Sequence, residues 1–177
     1  METGTTGPLW LVVMGVSGCG KSSLGQALAA GFGLPLIEGD DFHPEANIRK
    51  MREGIALGDA DRAGWLDSLG AQLASHPAGA VLTCSALKRI YRERLRAAVP
   101  GLRFVFMALT QGEALARVQS RAAHFFSASL VDSQFQTLEP PLGEAGVLAV
   151  QATLPVAQLA TQVRAWAGAV PAAASSF

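Results

Sequence analysis

The sequence predicts a doubly wound α/β sandwich around a parallel sheet, and three observations predict it. Short apolar runs alternate with longer stretches of helical periodicity, the runs are apolar throughout instead of at every second position, and the first run ends in a glycine-laced turn that opens a helix. Continuous apolarity marks strands buried on both faces, the condition of a parallel sheet covered by helices. Strand and helix alternation then implies right-handed crossovers.

In chain order, the expected strands are Leu9 to Met14, Leu34 to Ile37, Ala80 to Cys84, Leu102 to Leu109 and Val147 to Val150. Between them lie the helical stretches Ser22 to Ala30, a longer polar segment from Pro44 to His76, Leu87 to Val99, and Gln111 to about Phe135. The last helix, Pro155 to Ala167, sets Val156, Leu159, Ala160, Val163 and Trp166 on one stripe. The Ala/Ser-rich tail from Gly168 is expected to fray. The 177 residues read as a single domain, 1–177, with its core in 9–167 and the tail in 168–177.

Composition narrows the function classes. Half of the residues are hydrophobic, which suits a packed core and argues against long disordered segments. Fourteen basic residues balance fourteen acidic ones, so no general nucleic-acid or anionic-membrane footprint is expected. Met1-Glu2-Thr3-Gly4 lacks a basic leader and Leu9 to Met14 is too short to span a bilayer, so a cytoplasmic protein is expected. Cys19 and Cys84 accordingly read as reduced thiols, and no Cys or His cluster of metal-binding type is present in the sequence.

The first strand leads into Gly15-Val16-Ser17-Gly18-Cys19-Gly20-Lys21-Ser22-Ser23, the full G-x-x-x-x-G-K-S pattern. Its glycines allow successive backbone N–H groups and the following helix N-terminus to point at an anion. Lys21 is placed to reach the β and γ phosphates and the Ser22 hydroxyl to ligate Mg²⁺. The alternative is a glycine-rich turn that matches by chance; strand before and helix after argue against it. A nucleoside triphosphate site follows, and by itself nothing more.

In a sheet of this kind ligands sit beyond the carboxyl ends of the strands. Glu38-Gly39-Asp40-Asp41-Phe42-His43-Pro44 follows the second run, where Asp40 is close enough to accept a proton from an attacking hydroxyl. A helix cap or turn is an equally good reading of Asp40, and His43 reads more readily as packing than as a catalyst. The third run ends in Cys84-Ser85-Ala86-Leu87-Lys88-Arg89, where Lys88 is placed to neutralise an anion. Otherwise Lys88, Arg89, Arg92, Arg94 and Arg96 form the solvated face of an amphipathic helix, the reading preferred for Arg94 and Arg96. No acidic residue closes this run, so Glu38 or Asp40 must supply any carboxylate contact to Mg²⁺. Arg117 and Arg121 share a helix face ahead of His124-Phe125-Phe126, which suits either a lid over the nucleotide or plain surface charge.

Together these segments resemble the gluconokinase family. The resemblance is carried by Gly15 to Ser22, Gly39-Asp40-Asp41-Phe42-His43-Pro44, Asn47 with Lys50-Met51, Asp59-x-Asp61-Arg62-x-x-Trp65-Leu66, Cys84 to Lys88 with Tyr91-Arg92, Arg117 with Arg121, His124-Phe125-Phe126, and Ser133-Gln134-Phe135-x-Thr137-Leu138-Glu139-x-Pro141. It implies the P-loop containing nucleoside triphosphate hydrolase fold: a three-layer sandwich with a five-stranded parallel sheet and a mobile lid, similar to shikimate and nucleoside monophosphate kinases and generally dimeric. It also implies Mg²⁺-dependent transfer from ATP to the 6-hydroxyl of D-gluconate, feeding the pentose phosphate and Entner-Doudoroff routes.

Carried onto this chain, the resemblance makes Lys21, Asp40 and Arg121 the candidate catalytic residues, with Lys21 and Arg121 on the transferring phosphate. Arg117 falls on the adenine side, and Asp40, Arg62, Lys88 and His43 become candidate gluconate contacts. The carboxylate of gluconate suits positive groups, Arg above all. Departures from the family pattern are Ala56-Leu57-Gly58, Gly64 before Trp65, and Ala122-Ala123 in the lid segment, which lacks the usual cation. Two other readings stay open: a kinase of shikimate or another sugar acid, and a nucleotide-regulated binding module.

Overall fold

The computed structural model describes residues 7–119 and 128–169. Strands β1 (Leu9–Met14), β2 (Leu36–Glu38), β3 (Gly79–Thr83), β4 (Arg103–Ala108) and β5 (Val147–Gln151) form one sheet in the order β2-β3-β1-β4-β5. Every pairing is parallel, with Val12 opposite Leu82 on one side and Phe104 on the other. The second strand starts later than its apolar run because Pro35 has no N–H to give the ladder, although its carbonyl still accepts from Val81 N at 2.9 Å.

Parallel register sends alternate side chains to opposite layers. Leu11 and Val13 of β1, Val81 of β3, and Val105 and Met107 of β4 pack against helices α1 (Lys21–Phe32) and α7 (Val156–Ala169) through Leu24, Leu28, Leu159 and Val163. Val12, Met14, Leu82, Phe104 and Phe106 face the other way, onto α3 (Asp59–Ala74) and α4 (Arg89–Ala98) through Trp65, Leu69, Leu73 and Leu95. A strand buried on both sides cannot show an apolar and polar alternation, which is why the runs are continuous. Among the described residues no helix is long and apolar enough to cross a membrane.

The polar stretch from Pro44 holds two helices, α2 (Glu45–Arg52) and α3, instead of one segment. Between Gln111 and Phe135 the described residues likewise form two helices, α5 (Gln111–Gln119) and α6 (Ala128–Thr137). Helix α7 continues through Gly168 and Ala169, the first residues of the expected tail, and Arg103 Nη1 satisfies one of its last carbonyls, Ala167 O, at 3.0 Å.

The solvated-face reading of α4 holds for Arg94, which is paired with Asp67 of α3 and half exposed, and fails for Arg92 and Arg96. Arg92 is fully buried: its guanidinium donates to Glu144 at 2.6 Å, to Ala86 O and Leu87 O at 2.8 and 3.1 Å, and to Glu139 O at 2.9 Å. Arg96 lies over the Phe104 ring and donates to Glu144 at 2.9 Å. Hydrogen bonds from Arg92 hold the Glu144 carboxyl below the usual carboxylate range. Glu144→Ala would leave the Arg92 charge buried without its counter-ion, an expected loss of about 3–5 kcal/mol in urea unfolding; a loss below about 1 kcal/mol would show that water reaches this pair.

Candidate active site

At the carboxyl end of β1 the chain turns through Gly15 (φ +152°), Gly18 (φ +84°) and Gly20 (φ +93°), conformations that residues with a β-carbon rarely hold. Gly20 precedes α1 with no side-chain cap, so the first amides of that helix stay open to an anion. Lys21 Nζ folds back on the loop and donates to Gly15 O at 2.9 Å and Val16 O at 3.1 Å. Arg117, at the end of α5, clamps the far side of the loop by donating to Gly18 O and Cys19 O at 3.1 and 3.2 Å, and it also reaches Ala152 O at 3.1 Å. Arg121, the other arginine of the pair, lies outside the described residues together with His124, Phe125, Phe126 and Ala122-Ala123.

The end of β2 adds the acidic groups. Ser22 Oγ donates to Glu38 Oε2 at 3.0 Å, and Thr83 Oγ1, the last residue of β3, donates to the same oxygen at 2.6 Å. Thr83 in turn accepts from Gly39 N at 3.2 Å. Glu38 therefore occupies the carboxylate position beside the loop serine that the third run leaves without an acid. Asp40 belongs to a short 3₁₀ turn, Gly39–Phe42, with its carboxylate mostly exposed. It caps no helix: Pro44 precedes α2, without a side-chain cap.

Across the cleft His43 stacks on Trp65 with ring centroids 4.0 Å apart, and the Trp65 indole donates to Gly39 O at 2.8 Å. Asn47 Nδ2 lies 3.3 Å from His43 Nδ1 and donates to Asp61 O at 2.9 Å; Lys50 pairs with the Asp61 carboxylate at 2.9 Å. Arg62 is buried, donates to the Tyr91 hydroxyl at 3.0 Å and lies over the Tyr91 ring. Ser17, Lys21, Asp40, His43, Arg62 and Gln134 line one open cleft. Lys88 is not among its walls: its ammonium pairs with Asp59 at 2.9 Å, and Tyr91 hydrogen-bonds the same carboxylate. Those two donors hold Asp59 low, the Tyr91 bond first, while the Asp59 bond raises Lys88.

Both cysteines are free and buried, and burial pushes the Cys84 thiol up to about 12, so it stays protonated at neutral pH. Among the described residues no group of three or more His, Cys, Asp and Glu is placed to hold a metal. Hard oxygen donors do meet at Ser22 and Glu38, the donor type that suits Mg²⁺ completed by phosphate oxygens. Thr83, Trp65 and Gln134 are among the participants to which the sequence assigns no role. Only the proximity of β2 and β3 identifies Thr83, whereas Gln134 carried a signal as a polar residue one turn beyond the buried Leu130 and Val131.

No protein-family model matches the chain. The gluconokinase of Gluconobacter oxydans is 49% identical over 148 residues, covering 81% of this chain and 82% of that one. The thermosensitive gluconokinase of Escherichia coli is 38% identical over 157 residues, covering 86% and 84%. A crystal structure of a gluconokinase from Sinorhizobium meliloti matches with a TM-score of 0.85 and 46% identity over 92% of this chain and 93% of that one. A five-stranded parallel sheet of this order, with an open phosphate loop facing an acidic and basic cleft, defines a phosphate-loop kinase of small molecules. At these identities, over this much of both chains, the family is settled too. The chain belongs to the gluconokinase family.

Burial takes the His43 imidazole down from 6.5 to about 4, against the opposing pull of Asp40. Its folded value lies below its unfolded one, so the unfolded chain binds the extra proton first. Stability is full above 6.5 and is lost as pH falls toward about 4. His43→Gln is expected to flatten that part of the stability profile in urea melts; an unchanged slope would mean that His43 ionises freely in the folded protein.

Proposed function

We propose that this chain, a single kinase domain over 1–177, transfers the γ-phosphoryl group of ATP to the 6-hydroxyl of D-gluconate, giving 6-phospho-D-gluconate and ADP. The observation that carries the reading is the shared cleft, in which Ser17 and Lys21 of the phosphate loop face Asp40, His43 and Arg62. A triphosphate held by the loop and the open N-terminus of α1 ends beside a wall suited to a sugar acid. Arg62 is buried and, among the described residues, hydrogen-bonded to a phenol and not to a carboxylate, so it offers an anionic substrate a positive partner. Asp40, exposed to the cleft, takes the proton of the attacking alcohol as its oxygen bonds to the γ-phosphorus and the bond to ADP breaks.

Lys21 leaves the loop carbonyls to meet the phosphates, and Arg117 braces the loop on the nucleotide side. Ser22, with Glu38 directly or through water, would hold Mg²⁺, which when bound neutralises phosphate charge. His43, neutral and stacked on Trp65, shapes the sugar side. Lys88 contributes a gluconate contact once it exchanges Asp59 for substrate. Arg121 is assigned to the transferring phosphate on family resemblance alone. The enzyme is taken to act as a cytoplasmic homodimer supplying the pentose phosphate pathway.

A steady-state screen of gluconate, other sugar acids, shikimate and nucleoside monophosphates with ATP is expected to give gluconate the highest kcat/KM. Any of the others ranking above it would remove this reading. Lys21→Ala is expected to lower kcat roughly a hundredfold or more with the fold intact. Asp40→Asn should lower kcat by about 10²–10⁴ with little change in ATP binding. Because the Asp40 carboxylate is exposed and caps no helix, a variant that lost only thermal stability would contradict its place in the chemistry.

A further inference from the structure

A carboxamide from α6 reaches the phosphate loop. Gln134 Oε1 accepts a hydrogen bond from Ser17 N at 2.7 Å, across 117 residues of sequence. A backbone N–H can only donate, so the carboxamide has one orientation, with its oxygen on the loop and its nitrogen left as a donor. Helix α6 presents Gln134 on the face that buries Leu130 and Val131, one turn earlier. Ser17, Gln134 and Asp40 line the same cleft, so the carboxamide sits at the seam between the phosphate loop and the acceptor wall.

An acceptor alcohol at that seam has one proton and two lone pairs. The proton goes to Asp40 and one lone pair attacks phosphorus, which leaves the second lone pair without a partner. We propose that Gln134 supplies that partner: Oε1 stays on Ser17 N–H while Nε2 donates to the reacting alcohol oxygen, holding the acceptor in line with the loop. The residue thereby fixes which hydroxyl of a polyol meets the phosphoryl group. This inference rests on the assignment of phosphoryl transfer to a sugar acid.

Two substitutions test it. Gln134→Glu keeps an oxygen for Ser17 N–H and removes the donor; Gln134→Ala removes both. With ATP and gluconate saturating, kcat is expected to fall roughly tenfold or more in each, with KM for ATP changed less than about threefold. The share of ATP hydrolysed without sugar phosphate formed should rise, since a misplaced alcohol competes poorly with water. Wild-type kcat in Gln134→Glu overturns the proposal, as does a loss in Gln134→Ala that follows its melting temperature or its KM for ATP alone. A wild-type enzyme that does not turn over gluconate removes the underlying assignment and this inference with it, whereas a wild type that does, beside variants of equal kcat, removes this inference only.

Discussion

Gly39 is the point at which the site is tied to the sheet. A β-carbon there would overlap the Thr83 carbonyl oxygen, so the chain leaving β2 can lie against the end of β3 only because residue 39 has none. That approach lets Gly39 N–H reach the Thr83 hydroxyl and lets Gly39 O accept from the Trp65 indole. Glu38 is thereby held against Ser22 on one side, and Asp40 is carried into the cleft on the other. The neighbouring acids acquire different duties because the backbone between them is pinned: Glu38 is hydrogen-bonded by two hydroxyls, and Asp40, 3.8 Å from His43 Nε2, stays mostly exposed at the cleft.

A second tie closes the opposite rim. The segment that follows α6 folds back on the turn after β3: Glu139 N donates to Leu87 O, the Glu139 carboxylate accepts from Arg89 N at the start of α4, and Arg92 fills the space between. Ala86, at φ +46°, is strained for a residue with a side chain, and the Arg92 bond to its carbonyl helps to hold it there. Two segments far apart in sequence thus form one structural unit. Arg92 supports the cleft without lining it.

The fold was legible because its signal is local. Each apolar run is a strand to within a few residues, and the glycine pattern after the first strand marks the phosphate site with no need of tertiary information. What could not be read is what depends on partners distant in sequence. Arg92 shares a charge-rich segment with Arg94 and Arg96, yet its counter-ion lies 52 residues away, so spacing alone leaves its place open. Thr83 looks like any β-branched strand residue until Glu38 is beside it. Lys88 shows the same limit from the other side: its position after the third strand suggests the cleft, and only the fold reveals Asp59 of α3 as the partner that a substrate would have to replace.

The resting posture of Lys21 has a thermodynamic corollary. With its ammonium on two carbonyls of its own loop, the turn carries its positive charge already solvated by backbone, and the chain has no need of an anion to fold around it. Arrival of a nucleotide is then an exchange of partners, and the affinity records only the difference between phosphate and carbonyl. A lysine already held by carbonyls gains less from phosphate than one with no backbone partner.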